Sequence, residues 1–209
     1  MERAAASPRD RRTPSSIAQR ALRPATRIVE AATELSHQGE TASITVQDVI
    51  ERADVSLQTF YRHFGGKDDL ILALIEEEVA RGAEGYRKRA ARFDDPVARV
   101  ESVIKGPFAR ANRREAGMIL REHIRLLDTH AREVWAADAP YRNLVAEMIR
   151  GAQEAGQFPG VDPDEEADMI TTLVLSRYHQ LVLGGELRSF SREATHIWSF
   201  CLAALSRGA

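Results

Sequence analysis

Residues 43–70 read SITVQDVIERADVSLQTFYRHFGGKDDL. Two short helices are written here with almost nothing between them. Thr45 opens the first: its hydroxyl can hold an orphan backbone N–H, and Asp48, three residues on, complements the positive helix end. Val46, Val49, Ile50 and Ala53 then share one face over 46–53. Ala53-Asp54-Val55 is a tight turn, Ser56 caps a second helix, and Gly65-Gly66 breaks it. Two short helices joined by a turn of three or four residues form a helix-turn-helix. The second helix mixes two chemistries. Val55, Phe60 and Phe64 have the character of a small core, whereas Gln58, Thr59, Tyr61, Arg62 and His63 are hydrogen-bonding side chains on what must be an outward face.

The surroundings are helical throughout. Upstream, Ile28, Ala31, Ala32 and Leu35 fall at i, i+3, i+4 and i+7, a single apolar stripe. Pro24 is expected in the first turn of that helix, and Gly39 at its end. Downstream, residues 67–93 carry the stripe Leu70, Ile71, Leu74, Ile75 and Val79 against Glu76-Glu77-Glu78 on the solvated side. Asp95-Pro96 and Asp162-Pro163 each pair an N-cap with a first-turn proline. The helix after Asp95 is expected to carry Val97, Val100, Ile104 and Phe108, the next to run over 114–128, and Pro140 to divide 131–138 from 140–155. The last two helices, 163–183 and 190–206, are apolar on more than one side. That is the signature of a central helix or of an interface, and the interface is the expectation here because terminal helices seldom lie at a domain centre.

Composition agrees with a globular all-α chain of 209 residues: 44% apolar, 29% charged, rich in strong helix formers. Cys201 is the single cysteine, so there is no disulfide framework. No apolar run is long enough to span a bilayer, and the first twenty residues lack the apolar core of a secretory signal. These features lead to the expectation of a cytoplasmic protein with no membrane contact. The formal charge is −2, but residues 1–27 hold seven basic against two acidic side chains. Residues 1–22 are therefore read as a flexible basic extension beside the helix-turn-helix.

The stretch 43–70 resembles the N-terminal domain of the TetR family of bacterial transcriptional regulators. The resemblance is carried by Thr45, by Ala53-x-Val55-Ser56, by Thr59-Phe60-Tyr61-x-His63-Phe64, by Lys67-Asp68-x-Leu70, and upstream by Ala31-Ala32-x-x-Leu35…Gly39. It implies an all-α fold of about nine helices: a three-helix DNA-binding head over 23–68 and a helical body over 69–209 that binds a ligand and dimerises. It departs from the family at Asp54, where glycine is usual, and at Leu57, where a polar or basic residue is common. Aspartate tolerates the left-handed turn conformation. Leucine could meet a thymine methyl but cannot hydrogen-bond a base.

The implied DNA-contacting set is Thr45, Gln47, Ser56, Leu57, Gln58, Thr59, Tyr61, Arg62, His63 and Lys67. Gln58 suits adenine, and Lys67 at a helix start suits a phosphate. The implied function is a ligand-responsive repressor on a palindromic double-stranded operator. A small, largely apolar effector would release it, and a homodimer would form through helices near 163–183 and 190–206. Candidate effector contacts are Arg121, His123, Trp135, Tyr141, Met148, Tyr178 and His179. No cofactor, metal site or enzymatic activity is expected. His123 and Asp128, like His196 and Cys201, are five apart, which turns the two side chains about 140° from each other on a helix. No P-loop, GxGxxG or GxSxG motif is present. The alternative reading, a helical protein-interaction adaptor, gives no reason for Gln47, Gln58, Thr59, Tyr61 and Lys67 to occur together.

Overall fold

The computed structural model describes residues 14–37, 44–109, 113–184 and 189–208. Every regular element among them is helical: α1 (Pro14–His37), α2 (Val46–Ala53), α3 (Leu57–His63), α4 (Lys67–Ala90), α5 (Pro96–Ile104), α6 (Gly106–Ala109), α7 (Arg113–Leu127), α8 (Ala131–Ala137), α9 (Ala139–Glu154), α10 (Pro163–Leu183) and α11 (Phe190–Leu205). No helix among the described residues is long and apolar enough to cross a membrane.

The apolar residues sort into three cores. The first closes the head: Ile28, Ala31 and Ala32 of α1, Val49, Ile50 and Ala53 of α2, Phe60 and Phe64, and Leu70 and Leu74 of α4. The second fills the body, where Val100, Val103 and Ile104 of α5 meet Leu144, Val145 and Ile149 of α9, Ile170 and Val174 of α10, and Ile197, Trp198 and Leu205 of α11. The third is small and lies between them: Ile71 and Ile75 of α4, Leu126 of α7, and Val134 and Ala137 of α8. Helix α4 therefore enters all three. Leu70 and Leu74 face the head, Ile71 and Ile75 lie one residue, or about 100°, further round, and Ala83 and Ala90 reach the body. The boundary expected at residue 69 thus falls inside a shared helix.

Three expectations need correction. Helix α1 begins at Pro14, not near Pro24, so residues 14–22, assigned to a flexible extension, are helical. Pro14 suits a first helical position, and Ala18, Gln19, Arg20, Ala21 and Leu22 are good helix formers, so the pattern continues through Pro24 at the loss of one backbone hydrogen bond. Residues 1–13 and Gly39 lie outside the described residues.

Second, there are eleven α-helices among the described residues rather than about nine. The helix after Asp95 stops at Ile104, because Gly106 is a poor helix former and Pro107 has no N–H. The glycine is also needed sterically: a Cβ there would lie 2.6 Å from Cδ1 of Tyr86. Pro140 similarly restarts the chain as α9 after Asp138.

Third, much of the apolar surface of the last two helices is internal. Ile170, Val174, Leu181, Ile197 and Trp198 are buried within the single chain, and the large apolar side chains left exposed on α10 and α11 are Met169 and Phe200. Periodicity identified these faces but not what covers them.

Candidate nucleic-acid interface and the polar cluster of the body

The head's geometry is set by its caps. The Asp48 N–H donates to Thr45 Oγ1 (3.1 Å) and the Thr45 N–H donates to Asp48 Oδ2 (2.9 Å), a reciprocal capping box. The Thr45 hydroxyl also donates to Asp48 Oδ2 (2.6 Å), and this bond, followed by the one from the Thr45 N–H, holds the Asp48 carboxyl below its ordinary range. At the other end of α2 the Val55 N–H reaches Ile50 O and the Asp54 N–H reaches Glu51 O, the two bonds of a Schellman motif. Asp54 sits in the left-handed region at φ 50°, as expected of the residue replacing glycine. Arg27 of α1 donates to the carbonyls of both Ala53 and Asp54 and so ties the turn to the first helix. Ser56 then caps α3, accepting the Thr59 N–H at 3.1 Å, and its hydroxyl shares a 2.9 Å hydrogen bond with the Thr59 hydroxyl.

Phe60 is fully buried, edge-on to Tyr61 at 5.3 Å and tilted against Phe64 at 5.6 Å. With Phe60 turned inward, Leu57, Gln58, Tyr61 and Arg62 occupy an exposed face, an arc of about 140°. Leu57 and Tyr61 are 49% and 57% exposed, high for large apolar or aromatic side chains. Thr59 and His63 flank this face half-buried, and Thr45, Gln47 and Ser56 are exposed. Gln47 donates to Glu51 (2.6 Å), one turn along α2. After the two-glycine break Lys67 is exposed as the first residue of α4, whose N-cap, Gly66, has no side chain to cap it. The Gly65 N–H is taken by Asp69 Oδ2 at 2.7 Å, which fixes the break.

The body candidates separate. Arg121 is exposed. Trp135 is also exposed, with the Arg142 guanidinium 4.2 Å over its ring. Tyr141 is sealed in the body core, its hydroxyl donating to Val103 O at 3.4 Å, and burial raises its pKa well above the ordinary value. Met148 packs half-buried on the same core. His123 and His179 do come together, whereas Tyr178 packs against the body core. His123 of α7 is buried, with Nε2 3.2 Å from each carboxylate oxygen of buried Asp138. Its ring lies 4.9 Å from that of His179 on α10, at 67°. Beside His179, Tyr178 is edge-on to Phe108 at 6.1 Å. Burial, and then the neighbouring His123, pull the His179 pKa down to about 4, with Asp138 opposing, so His179 is a neutral imidazole. Buried His123 Nδ1 has no hydrogen-bond partner among the described residues.

Sequence reasoning missed Asp138. It stands at the N-cap of α9, yet it makes no side-chain cap and turns to His123, fifteen residues back. It also missed the contact from body to head. Arg125, two residues beyond His123 on α7, reaches Asp68 on α4 at 2.5 Å and draws the Asp68 carboxyl below its usual range.

Residues 28–74 match the profile of the bacterial regulatory proteins of the tetR family. No curated protein sequence matches the chain. Solved structures share the fold over nearly the whole length. One is a TetR transcriptional regulator from Rhodococcus sp. RHA1 (21% identity, 92% of this chain and 100% of that one, TM-score 0.68). A second is Thermus thermophilus FadR, a TetR-family repressor in complex with lauroyl-CoA (19% identity, 85% and 92%, TM-score 0.67). A third is RolR in complex with resorcinol (15% identity, 91% and 96%, TM-score 0.64). The chain therefore carries the head of the bacterial TetR family of regulatory proteins on a body that shares the fold of that family's solved members.

Proposed function

We propose that the protein is a ligand-responsive DNA-binding transcriptional regulator, a repressor released from its operator by a small, largely apolar effector. The observation that carries this reading is the outward face of α3, where Leu57, Gln58, Tyr61 and Arg62 stand exposed over a closed apolar core. In this reading α3 lies in the major groove. Gln58 reads adenine, Leu57 meets a thymine methyl, and Arg62 and His63 contact bases or phosphates. Thr45, Gln47, Ser56, Thr59, Tyr61 and Lys67 fix the register on the backbone, Lys67 with help from the uncapped start of α4.

Two copies pair through α10 and α11 around Met169 and Phe200, which are 70% and 59% exposed. The pair presents its heads to a palindromic operator with half-sites about 34–36 Å apart. The body receives the effector near His123 and His179. The complexes of RolR with resorcinol and of Thermus thermophilus FadR with lauroyl-CoA support an organic effector held by this fold. Effector binding favours a conformer whose heads are wrongly spaced. Helix α4, common to all three cores, and the Arg125–Asp68 pair join that site to the head.

The test is a gel-shift against DNA flanking the protein's own gene, across a salt series. Saturable binding that weakens with salt is expected. No binding to any fragment at low salt sinks the regulator reading.

A further inference from the structure

Asp138 determines what the His123 ring can do. Its two oxygens are acceptors, both 3.2 Å from Nε2, so the proton of a neutral His123 ring belongs on Nε2. Nδ1 is then left with a lone pair. It is buried and has no partner among the described residues; Ser102 Oγ, Asp168 Oδ1 and Thr171 Oγ1 share that state, but of the four it alone lies on a ring whose other nitrogen is held by a carboxylate. A buried acceptor without a donor has lost its water and gained nothing in return. His179, half-buried and 4.9 Å away ring to ring, links the cluster to the exterior, and burial keeps its own imidazole neutral.

We infer that this unpaired Nδ1 is the acceptor for a neutral O–H of the effector, so that the effector class is a phenol or alcohol on an apolar frame. This rests on the reading of the body as an effector-binding unit. A carboxylate or phosphate placed here would meet a lone pair, with the Asp138 charge behind it. An ammonium would bring a charge into surroundings dry enough to keep His179 neutral. An uncharged hydroxyl meets neither objection.

The tautomer makes the inference reversible by one atom. In Asp138→Asn the amide can turn its NH2 toward Nε2, which moves the ring proton to Nδ1 and converts that acceptor into a donor. Calorimetry on the full chain would use three probes of equal chain length: a para-alkylphenol, its methyl ether and the para-alkylbenzoate. The wild type should bind the phenol at least tenfold more tightly than the ether or the benzoate, and D138N should lose or invert that order. In parallel, nitrogen NMR of the His123 ring should show the Nε2–H tautomer in the wild type and the Nδ1–H tautomer in D138N, a readout that mere destabilisation does not give.

Equal binding of ether and phenol, no binding of any probe, an unchanged order in D138N or a doubly protonated His123 at neutral pH would each overturn the inference. So would saturable Zn2+ binding by the wild type that is lost in D138N, since it would give the pair to a metal. Selective phenol binding with no effect on operator binding would leave the inference standing and refute the coupling instead.

Discussion

Replacing Phe60 by alanine isolates the head from the body. The ring is wholly buried in a core with ten buried members among the described residues, and it lies 5.3 and 5.6 Å from the rings of Tyr61 and Phe64. Truncating a buried phenylalanine to alanine costs about 3–5 kcal/mol, and loss of two aromatic contacts places this site in the upper part of that range. Small units rarely have more than about 5 kcal/mol to lose, so the head should be largely unfolded. The head and body cores share no buried residue. Both tryptophans, Trp135 and Trp198, lie in the body, so their fluorescence follows the body in a urea titration while amide exchange in α1–α3 follows the head. The expected result is a loss of protection in α1–α3 of about a hundred- to several-thousand-fold, an unchanged tryptophan transition and abolished DNA binding. A tryptophan transition that shifts together with the exchange rates would show one cooperative unit and refute the reasoning. So would retention of operator affinity.

Gln58→Ala should relax preference at one base position, by about 1–3 kcal/mol, while Lys67→Ala should weaken all DNA alike and lower the salt slope by about one; competition gel-shifts separate the two. Gly106→Ala drives a Cβ to within 2.6 Å of the Tyr86 ring, and its overpacking should cost about 1–3 kcal/mol in a thermal or urea melt. His179 titrates at about 4 when folded against 6.5 for a free imidazole. Between those values the unfolded chain binds the extra proton, so this contribution to stability is complete above pH 6.5 and is lost as pH falls toward 4. Urea midpoints measured across that interval should decline with acid, and in His179→Gln the decline should be shallower. Cys201 is buried, and its thiol pKa is pushed up to about 11, chiefly by burial. It should resist iodoacetamide at neutral pH until urea unfolds the chain, as mass spectrometry can follow.

The helix-turn-helix was legible because its signals are local. Thr45 with Asp48, and Ser56 with Thr59, act over three residues, and Asp54 and Gly65-Gly66 mark breaks that no tertiary contact has to explain. The same holds for Asp95 and Asp162, which cap as expected. What escaped depends on distant partners. The steric demand for glycine at 106 comes from Tyr86, twenty residues earlier. The function of Asp138 lies in His123 on another helix, and the covering of Trp198 depends on how α11 meets the rest of the body. Among the effector candidates, residue type alone did not distinguish exposed Arg121 and Trp135 from buried His123, because aromatic and basic residues serve surface and interior equally.

The division into three cores also bears on how such a protein can change. Substitutions on the outer face of α3 leave every buried residue in place, and those around His123 and His179 leave the head core untouched. A lineage could therefore acquire a new operator or a new inducer one at a time, without passing through an unfolded intermediate. The constraint falls instead on Ile71, Ile75, Leu126, Val134 and Ala137, the buried apolar side chains between the two larger cores, and on the Arg125–Asp68 pair. For the same reason a head exchanged between relatives should be joined within α4, beyond Ile75, so that the native junction travels with it.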